Sequence, residues 1–465
     1  MKRILTRDGS FYRNLILLAI PIVLQNLITF SVSLADNTMI GSLGDSAVSG
    51  VYLGTQIQTV LQVLSAGIES TVLLLSAQYW GKRETAGIRA IAAVGVRISF
   101  AIGAALTALC ALFPQGVLRL FTKETSVLAS GAEYLSVVCY SYAFFCVTQS
   151  LIAAMRSVEK PRIGLIVSLC SLCTDVILNY ILIFGKFGFP ALGVRGAAIA
   201  TLIARVVETL IAAIYVLAVD HRLAFRVKDL FSRHAVFVKD FLRYGTPLVL
   251  GQLVWGANLM ANSMVLGRFG EAVITGASLA NTVNSMMYVC LNGLSAAVGI
   301  LIGKAVGAGQ LQKIREYSHT VEVLFLLLGL LTAGLFFLIR QPFIGLYQIS
   351  AEAAAYAGQF IGVLCFTGIG TCYECGTLFG LVKSGGDVSF VFKNDTLFVF
   401  GVVIPLSVAA ALLGAAPWVV YLALKSDQIL KCFVAFFKIR KFNWMKNLTR
   451  PVSDSAPACT ASDGK

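Results

Sequence analysis

Charged residues are scarce in this sequence: Asp, Glu, Lys and Arg make up 13% of 465 residues, against roughly a quarter in soluble domains. Hydrophobic residues reach 57%, with a mean hydropathy of +0.82. The shortage excludes a soluble globular chain. Histidine is scarcer still, with only His221, His234 and His319, each in or beside a polar connection. That removes the commonest metal ligand and general base from the apolar segments and disfavours an intramembrane enzyme. No GxxxxGK[ST] motif is present, so ATP hydrolysis is not expected. In GILIGKAVGAG, Gly299, Gly303 and Gly307 recur every fourth residue and read instead as a stripe for close helix packing. A small-residue cleavage site after the first apolar run is also lacking, so that run reads as a retained helix. The 11 cysteines lie mostly inside apolar segments, where packing is favoured over disulfides. Cys170/Cys173 and Cys372/Cys375 each share a helical face, but no metal site is expected from them.

Long apolar runs are abundant. Stretches near or above the roughly 20 residues that span a hydrocarbon core recur about twelve times, predicting an all-α integral membrane protein. The net charge of +14 is placed one-sidedly: of 37 Lys and Arg, 27 fall in the N-terminus, the even-numbered connections and the C-terminus, and six in the odd-numbered ones. By the positive-inside rule both termini are cytoplasmic in a cell (inner) membrane. The basic balance reports topology, and nucleic acid is not an expected partner.

The chain repeats itself. Residues 21–89 align with 247–315 without a gap, offset by 226, with 16 identities that include Pro21/Pro247, Gly41/Gly267, Gly44/Gly270, Gly50/Gly276, Gly67/Gly293 and Gly81/Gly307. Six helices per copy is an even number, so both copies enter from the same side and form parallel repeats around a central cavity. The expected organisation is a first six-helix lobe over 1–218, a cytoplasmic linker over 219–241, a second lobe over 242–444 and a largely disordered tail over 445–465.

Ionised residues in the bilayer core cost roughly 2.5 to 3.5 kcal/mol on insertion scales and usually face a cavity or a partner. Asp36 ends the first run in the stretch DNTMIGSLGDSAVSG, whose repeat partner carries Asn262 in place of the acid. Asp175 and Asn179 are four apart and share a helical face; Thr201 sits among small residues in GAAIATLIA. These four are the candidate cation or proton site. Glu374 and Asp395, the latter placed at the start of helix 11, are second-lobe candidates together with Asn258 and Asn262. Glu69, Asn284, Trp255, Met260, Met286 and Tyr288 are candidate cavity residues. Their soft and aromatic side chains suit flat organic cations, although packing explains them equally well. Arg156, Lys304 and Lys383 read as snorkelling at cytoplasmic helix ends.

AIPIVLQNL leading to DNTMIGSLG, AQYWGK, ALGVRGAAIAT and KSGGD, in that order across residues 12–444, resemble the multidrug and toxic compound extrusion (MATE) family. The resemblance implies two six-helix lobes, a V-shaped cavity and alternating access, with organic cations exported against protons or sodium ions. It implies Asp36 as a central site of the first lobe, with Asp175 and Asn179 in the reverse of the order usual in the family, and Thr201 as the helix 6 hydroxyl. In the sodium-coupled branch a Glu stands in helix 7; Trp255 takes that place here. The expectation is therefore coupling through the first lobe, no cofactor, membrane lipid and small organic cations as partners, and a monomer. A flippase for lipid-linked saccharides of the same superfamily is the alternative; a channel is disfavoured.

Overall fold

The computed structural model describes residues 5–119, 124–232, 234–347 and 349–450, and these form helices and no strand. Twelve long elements cross the molecule. In the first half they are α1 (Gly9–Gly41), α2 (Asp45–Gly81), α3 (Thr85–Leu112), α4, α5 (Arg162–Phe184) and α6 (Gly193–Ile214). Of these, α4 is a pair, Thr125–Val138 and Ser141–Ser157, bent by 50°. In the second half they are α7 (Ala235–Leu266), α8 (Glu271–Gly307), α9 (Leu311–Gly345), α10 (Ala351–Glu374), α11 and α12. The α10 helix runs on as a wider π-helical segment over Cys375–Lys383; α11 comprises Val388–Phe398, a π turn over Val399–Val403, and Ile404–Leu412. Among the described residues, ten helices are long and apolar enough to cross a bilayer, eleven with the bent pair. The twelfth, α12, is split into Pro417–Leu424 and Asp427–Arg440 by Lys425 and Ser426.

Local chemistry sets several boundaries. Asp8 caps α1 by accepting the Ser10 amide at 3.0 Å. Pro417 opens the first half of α12 at a position that needs no amide donor. Gly44 and Gly270, repeat partners, precede α2 and α8 with φ of 98° and 95°, a conformation open to glycine. Inside α1 and α7, Pro21 and Pro247 each remove one backbone hydrogen bond.

The repeat is visible as paired contacts. A Cβ on Gly67 would stand 2.6 Å from Val249 and one on Gly293 2.5 Å from Val23; on Gly81 it would meet the Lys304 carbonyl at 2.0 Å, and on Gly307 the Gln78 carbonyl at 1.8 Å. Each pair maps onto its mate by the 226-residue offset. The two lobes are thus related by a pseudo-two-fold, with α2 and α8 in backbone contact across it, which only glycine permits.

The lobes also exchange their first helices in part. Phe11, Leu15, Leu18 and Ile22 of α1 pack into the core built by α8 to α12, while Phe237, Phe241 and Leu248 of α7 pack into the first-lobe core. A boundary drawn in sequence near residue 242 therefore does not mark a boundary of packing. Nor does α7 begin there: it starts at Ala235, after the π segment Tyr215–Val219 that extends α6 and the short helix Val227–Phe231. Asp395 lies well inside α11, which starts at Val388, and not at its beginning.

The chain's final described residues are ordered by contacts. Trp444 is fully buried, the Lys446 amide donates to the Gly385 carbonyl at 2.7 Å, and the Leu448 amide donates to Gln78 Oε1 at 2.7 Å. Arg450 makes a bidentate pair with Asp240 at 2.7 and 2.8 Å. This strap over 445–450 ties the second lobe to the end of α2 on the face where the chain begins and ends. The remainder of the expected disordered tail, 451–465, lies outside the described residues.

The motifs of the sequence hold this face together. In KSGGD, a Cβ on Gly385 would collide with Trp444, Gly386 has a φ of 104°, and Asp387 accepts from Lys438 and Lys446, each at 2.7 Å. Burial pushes the Asp387 carboxyl up, but the two lysines outweigh it and hold it below the usual range. In AQYWGK, Gln78 and Lys82 receive the strap.

Candidate functional site

A cavity of about 540 Å³ opens within the first lobe. Its lining on α1 runs from Gln25 to Ile40 and on α2 from Val51 to Glu69, so it occupies the half of the molecule remote from the termini. Among the described residues, only Val289 of its lining comes from the second lobe. At the terminal end of the lining stand Gln25, Glu69 and Arg156, with Arg156 bonded to both of the others.

Asp36, Asp175 and Thr201 all lie on the cavity wall. The α1, α5 and α6 helices converge there because α5 packs closely on both the others; Gly196, from ALGVRGAAIAT, lets α6 touch the Leu182 carbonyl of α5. Asn179 Nδ2 donates to Asp36 Oδ1 at 2.8 Å and to Asp175 Oδ2 at 3.0 Å. Both amide hydrogens are used, and Asn179 Oδ1 is buried with no donor. With Asp175 and Asn179 exposed by only 2% and 1%, the arrangement presents three acceptor oxygens with little water. An enclosed set of this kind can bind a proton or a small cation.

Two arginines join the wall that sequence reading does not place there. Arg156 does not snorkel. It is buried, pairs with Glu69 and donates Nη2 to Gln25 Oε1 at 2.9 Å. Arg205 pairs with Glu208 at 2.7 Å and lies over the Phe145 ring at 5.1 Å. The sequence signal for Arg156 is weak because a basic residue near a helix end is ordinarily a surface feature; its partners lie 87 and 131 positions away. The cavity thus holds Asp36, Glu69 and Asp175 against two guanidiniums, one of which shares its charge with Glu208.

The second-lobe candidates divide. Glu374 and Asp395 meet on Lys431, at 3.3 and 2.9 Å. Tyr288 belongs to that neighbourhood, its hydroxyl accepting from Gln428 Nε2 at 3.4 Å. Asn284 is buried on α8, and the carbonyl oxygens of Asn258, Asn262 and Asn284 are enclosed without donors. Trp255, Met260 and Met286 are 45%, 68% and 49% exposed and do not line the cavity.

Known proteins share this organisation. The family model MatE matches residues 21–181 and 247–409, one stretch in each repeat. The chain is 22% identical over 434 residues to a probable multidrug resistance protein NorM of Listeria innocua, covering 93% of this chain and 95% of that one. A probable multidrug resistance protein NorM of Thermotoga maritima is 29% identical over 339 residues, 72% of each. The fold matches the Vibrio cholerae MATE transporter VcmN in its bent form with a TM-score of 0.84 at 19% identity, over 93% of this chain and 97% of that one. A MOP superfamily transporter from Pyrococcus furiosus gives 0.84 at 18%, over 96% and 100%. With one match in each six-helix repeat, over well beyond half its length, the chain belongs to the MatE family of multi-span membrane transporters and is not an enzyme.

Proposed function

We propose that this transporter exports organic cations by antiport against protons or sodium ions, from a cell membrane in which both termini face the cytoplasm. The observation that carries the reading is the Asn179 amide held between Asp36 and Asp175, two carboxylates of the cavity wall. A cation or proton arriving there neutralises buried carboxylates and lowers the cost of their burial. The cavity lies in the half remote from the termini, which the charge asymmetry assigns to the outside. This is the state from which cargo leaves and the coupling ion enters.

The ion changes what Asp36 can pack against. Its helix is weakened at Pro21, so binding favours a rearranged α1 and release of the cation cargo; the reverse state returns the ion to the cytoplasm. Cargo and ion are linked through their opposite preferences for the two states. The lipid-linked saccharide alternative would need unpaired guanidiniums for pyrophosphate, whereas Arg156 and Arg205 are both engaged by carboxylates. The test uses oriented vesicles loaded with a fluorescent organic cation, under an imposed proton gradient and separately a sodium gradient. Movement driven by one gradient and lost in Asp36→Asn supports the reading; undiminished export by that variant overturns it.

A further inference from the structure

Lys431 stands in the second half of α12 with three carboxylates around its ammonium. Nζ lies 2.9 Å from Asp395 on α11, 3.1 Å from Asp427 one turn earlier on α12, and 3.3 Å from Glu374 at the end of α10. None of the four side chains is more than 13% exposed. The groups facing them are Cys375 and Lys383 from the continuation of α10, Tyr288 from α8, and Lys425 and Cys432 from α12. Among the described residues, Lys431 is the one ammonium within ion-pair distance of all three carboxylates.

Stability does not account for such a cluster, because apolar replacement of buried ion pairs is often neutral or stabilising. The backbone is also shaped around it. Glu374 is the last α-helical residue before the π segment Cys375–Lys383; the π turn of α11 begins four residues after Asp395; the break in α12 falls immediately before Asp427. Three helices leave α geometry within about a turn of the carboxylate each supplies, and π segments are frequent at functional sites.

The first lobe offers the comparison. Thr201 and Arg205 precede Asp427 and Lys431 by 226 positions, the offset of the repeat. In the first lobe Arg205 pairs with Glu208, and Asp36, Asp175 and Asn179 are left with an acceptor that has no donor. In the second lobe the long flexible lysine stem delivers a compact point charge to the meeting place of the acids.

We propose that Lys431 is a tethered counter-cation. Its ammonium takes the position that a mobile monovalent cation would occupy between Glu374, Asp395 and Asp427, so the second lobe binds no inorganic ion and exchange runs on the first-lobe site alone. The proposal rests on the exchange reading above, and it makes Lys431 a determinant of how many ions are coupled.

The test is thermal unfolding of the purified full chain in sodium chloride and in choline chloride of equal ionic strength, since a ligand of the native state raises Tm in a saturable way. Asp36→Asn, which removes the first-lobe carboxylate, should show no sodium-specific shift. Asp36→Asn with Lys431→Gln should gain a saturable rise of a few degrees, and Asp36→Asn with Lys431→Arg should not. If Lys431→Gln is not recovered as monodisperse protein, Lys431→Met, which keeps an unbranched stem of similar length and all three carboxylates, serves in its place. A sodium-specific shift in Asp36→Asn that disappears on adding Asp395→Asn overturns the proposal, as does a folded lysine-free variant with no shift. The Asp36→Asn arm needs no lysine variant to decide. Gradient-driven transport by the wild type separately judges the exchange reading: its absence beside a sodium-silent Asp36→Asn would remove exchange and leave the lysine's occupancy standing.

Discussion

Lys304 Nζ of the second lobe lies 2.5 Å from Glu159 Oε1 of the first, on the face that carries the termini. The pair joins the lobes where they must part if the cavity is to open toward that face. Its side chains are 41% and 24% exposed, and partly exposed pairs are worth about 0.2 to 1 kcal/mol. Lys304→Ala should therefore shift the balance of states by roughly 1.4- to fivefold. Hydrogen exchange at the amides near the end of α2 should quicken by that factor, and the swap Lys304→Glu with Glu159→Lys should restore protection.

Gly307 and Gly81 allow no side chain in the closed arrangement. Alanine at either would place Cβ about 2 Å from a carbonyl oxygen of the opposite lobe, and overpacking of this kind typically costs about 1 to 3 kcal/mol. Both variants should melt at lower temperature and leave the terminal face open to labelling reagents. Gly251→Ala and Gly334→Ala, where no atom lies within 4 Å, should be neutral or slightly stabilising. Equal melting of all four variants would refute the role given to the glycine contact.

Asn179 bridges the two carboxylates of the proposed ion site. Hydrogen bonds to charged groups are worth about 1.5 to 3 kcal/mol. Asn179→Ala should raise the ion concentration for half-maximal transport roughly 10- to 100-fold while the protein still inserts and folds. Asn179→Gln, too long to bridge at the same backbone position, should resemble Asn179→Ala. Unaltered ion dependence in both would remove Asn179 from the site.

Asp387 supplies an acid-side dependence that can be worked out from its neighbours. Its folded-state carboxyl is held below the ordinary value by Lys438 and Lys446 in spite of burial. The stability it contributes is therefore present above the unfolded value near about 3.9 and lost as pH falls through the lower folded value. Melting temperature should fall as pH drops below about 4, and Asp387→Asn should start lower at neutral pH and lose that part of the slope. Truncation after Trp444 removes Lys446 but leaves Lys438, so it should reduce the slope without abolishing it.

The helical architecture was legible in the sequence because apolar runs of membrane-spanning length and an ungapped repeat are local or periodic properties. Asp36, Asp175, Asn179 and Thr201 could be nominated for a similar reason: each is a polar group out of place in its own helix. Their meeting on one wall of the cavity was a matter of packing. What could not be read were the partners of the basic residues. Lys431 finds Glu374 across 57 positions, and Lys304 finds Glu159 across the lobes, and neither separation has a periodic signature. The hold of residues 445–450 on Gln78 and Gly385 is not legible in the sequence, because it uses backbone amides, which carry no sequence identity. Trp255, Met260 and Met286 share a chemistry, but they lie outside the lining of the first-lobe cavity.

α1 belongs mechanically to both halves of the molecule: its first part is seated in the second-lobe core, its second part carries Asp36, and Pro21 lies between. From Pro21 to Asp36 is about 22 Å along the helix, so a kink of about 20° at the proline swings this end of the helix through roughly 8 Å. The helix is a lever whose short arm is clamped in one lobe and whose long arm ends at Asp36. Through α7 and Pro247 the same clamp is applied in reverse. Displacement of one lobe is thereby delivered to Asp36 through one helix hinged at Pro21, without a relay of side chains.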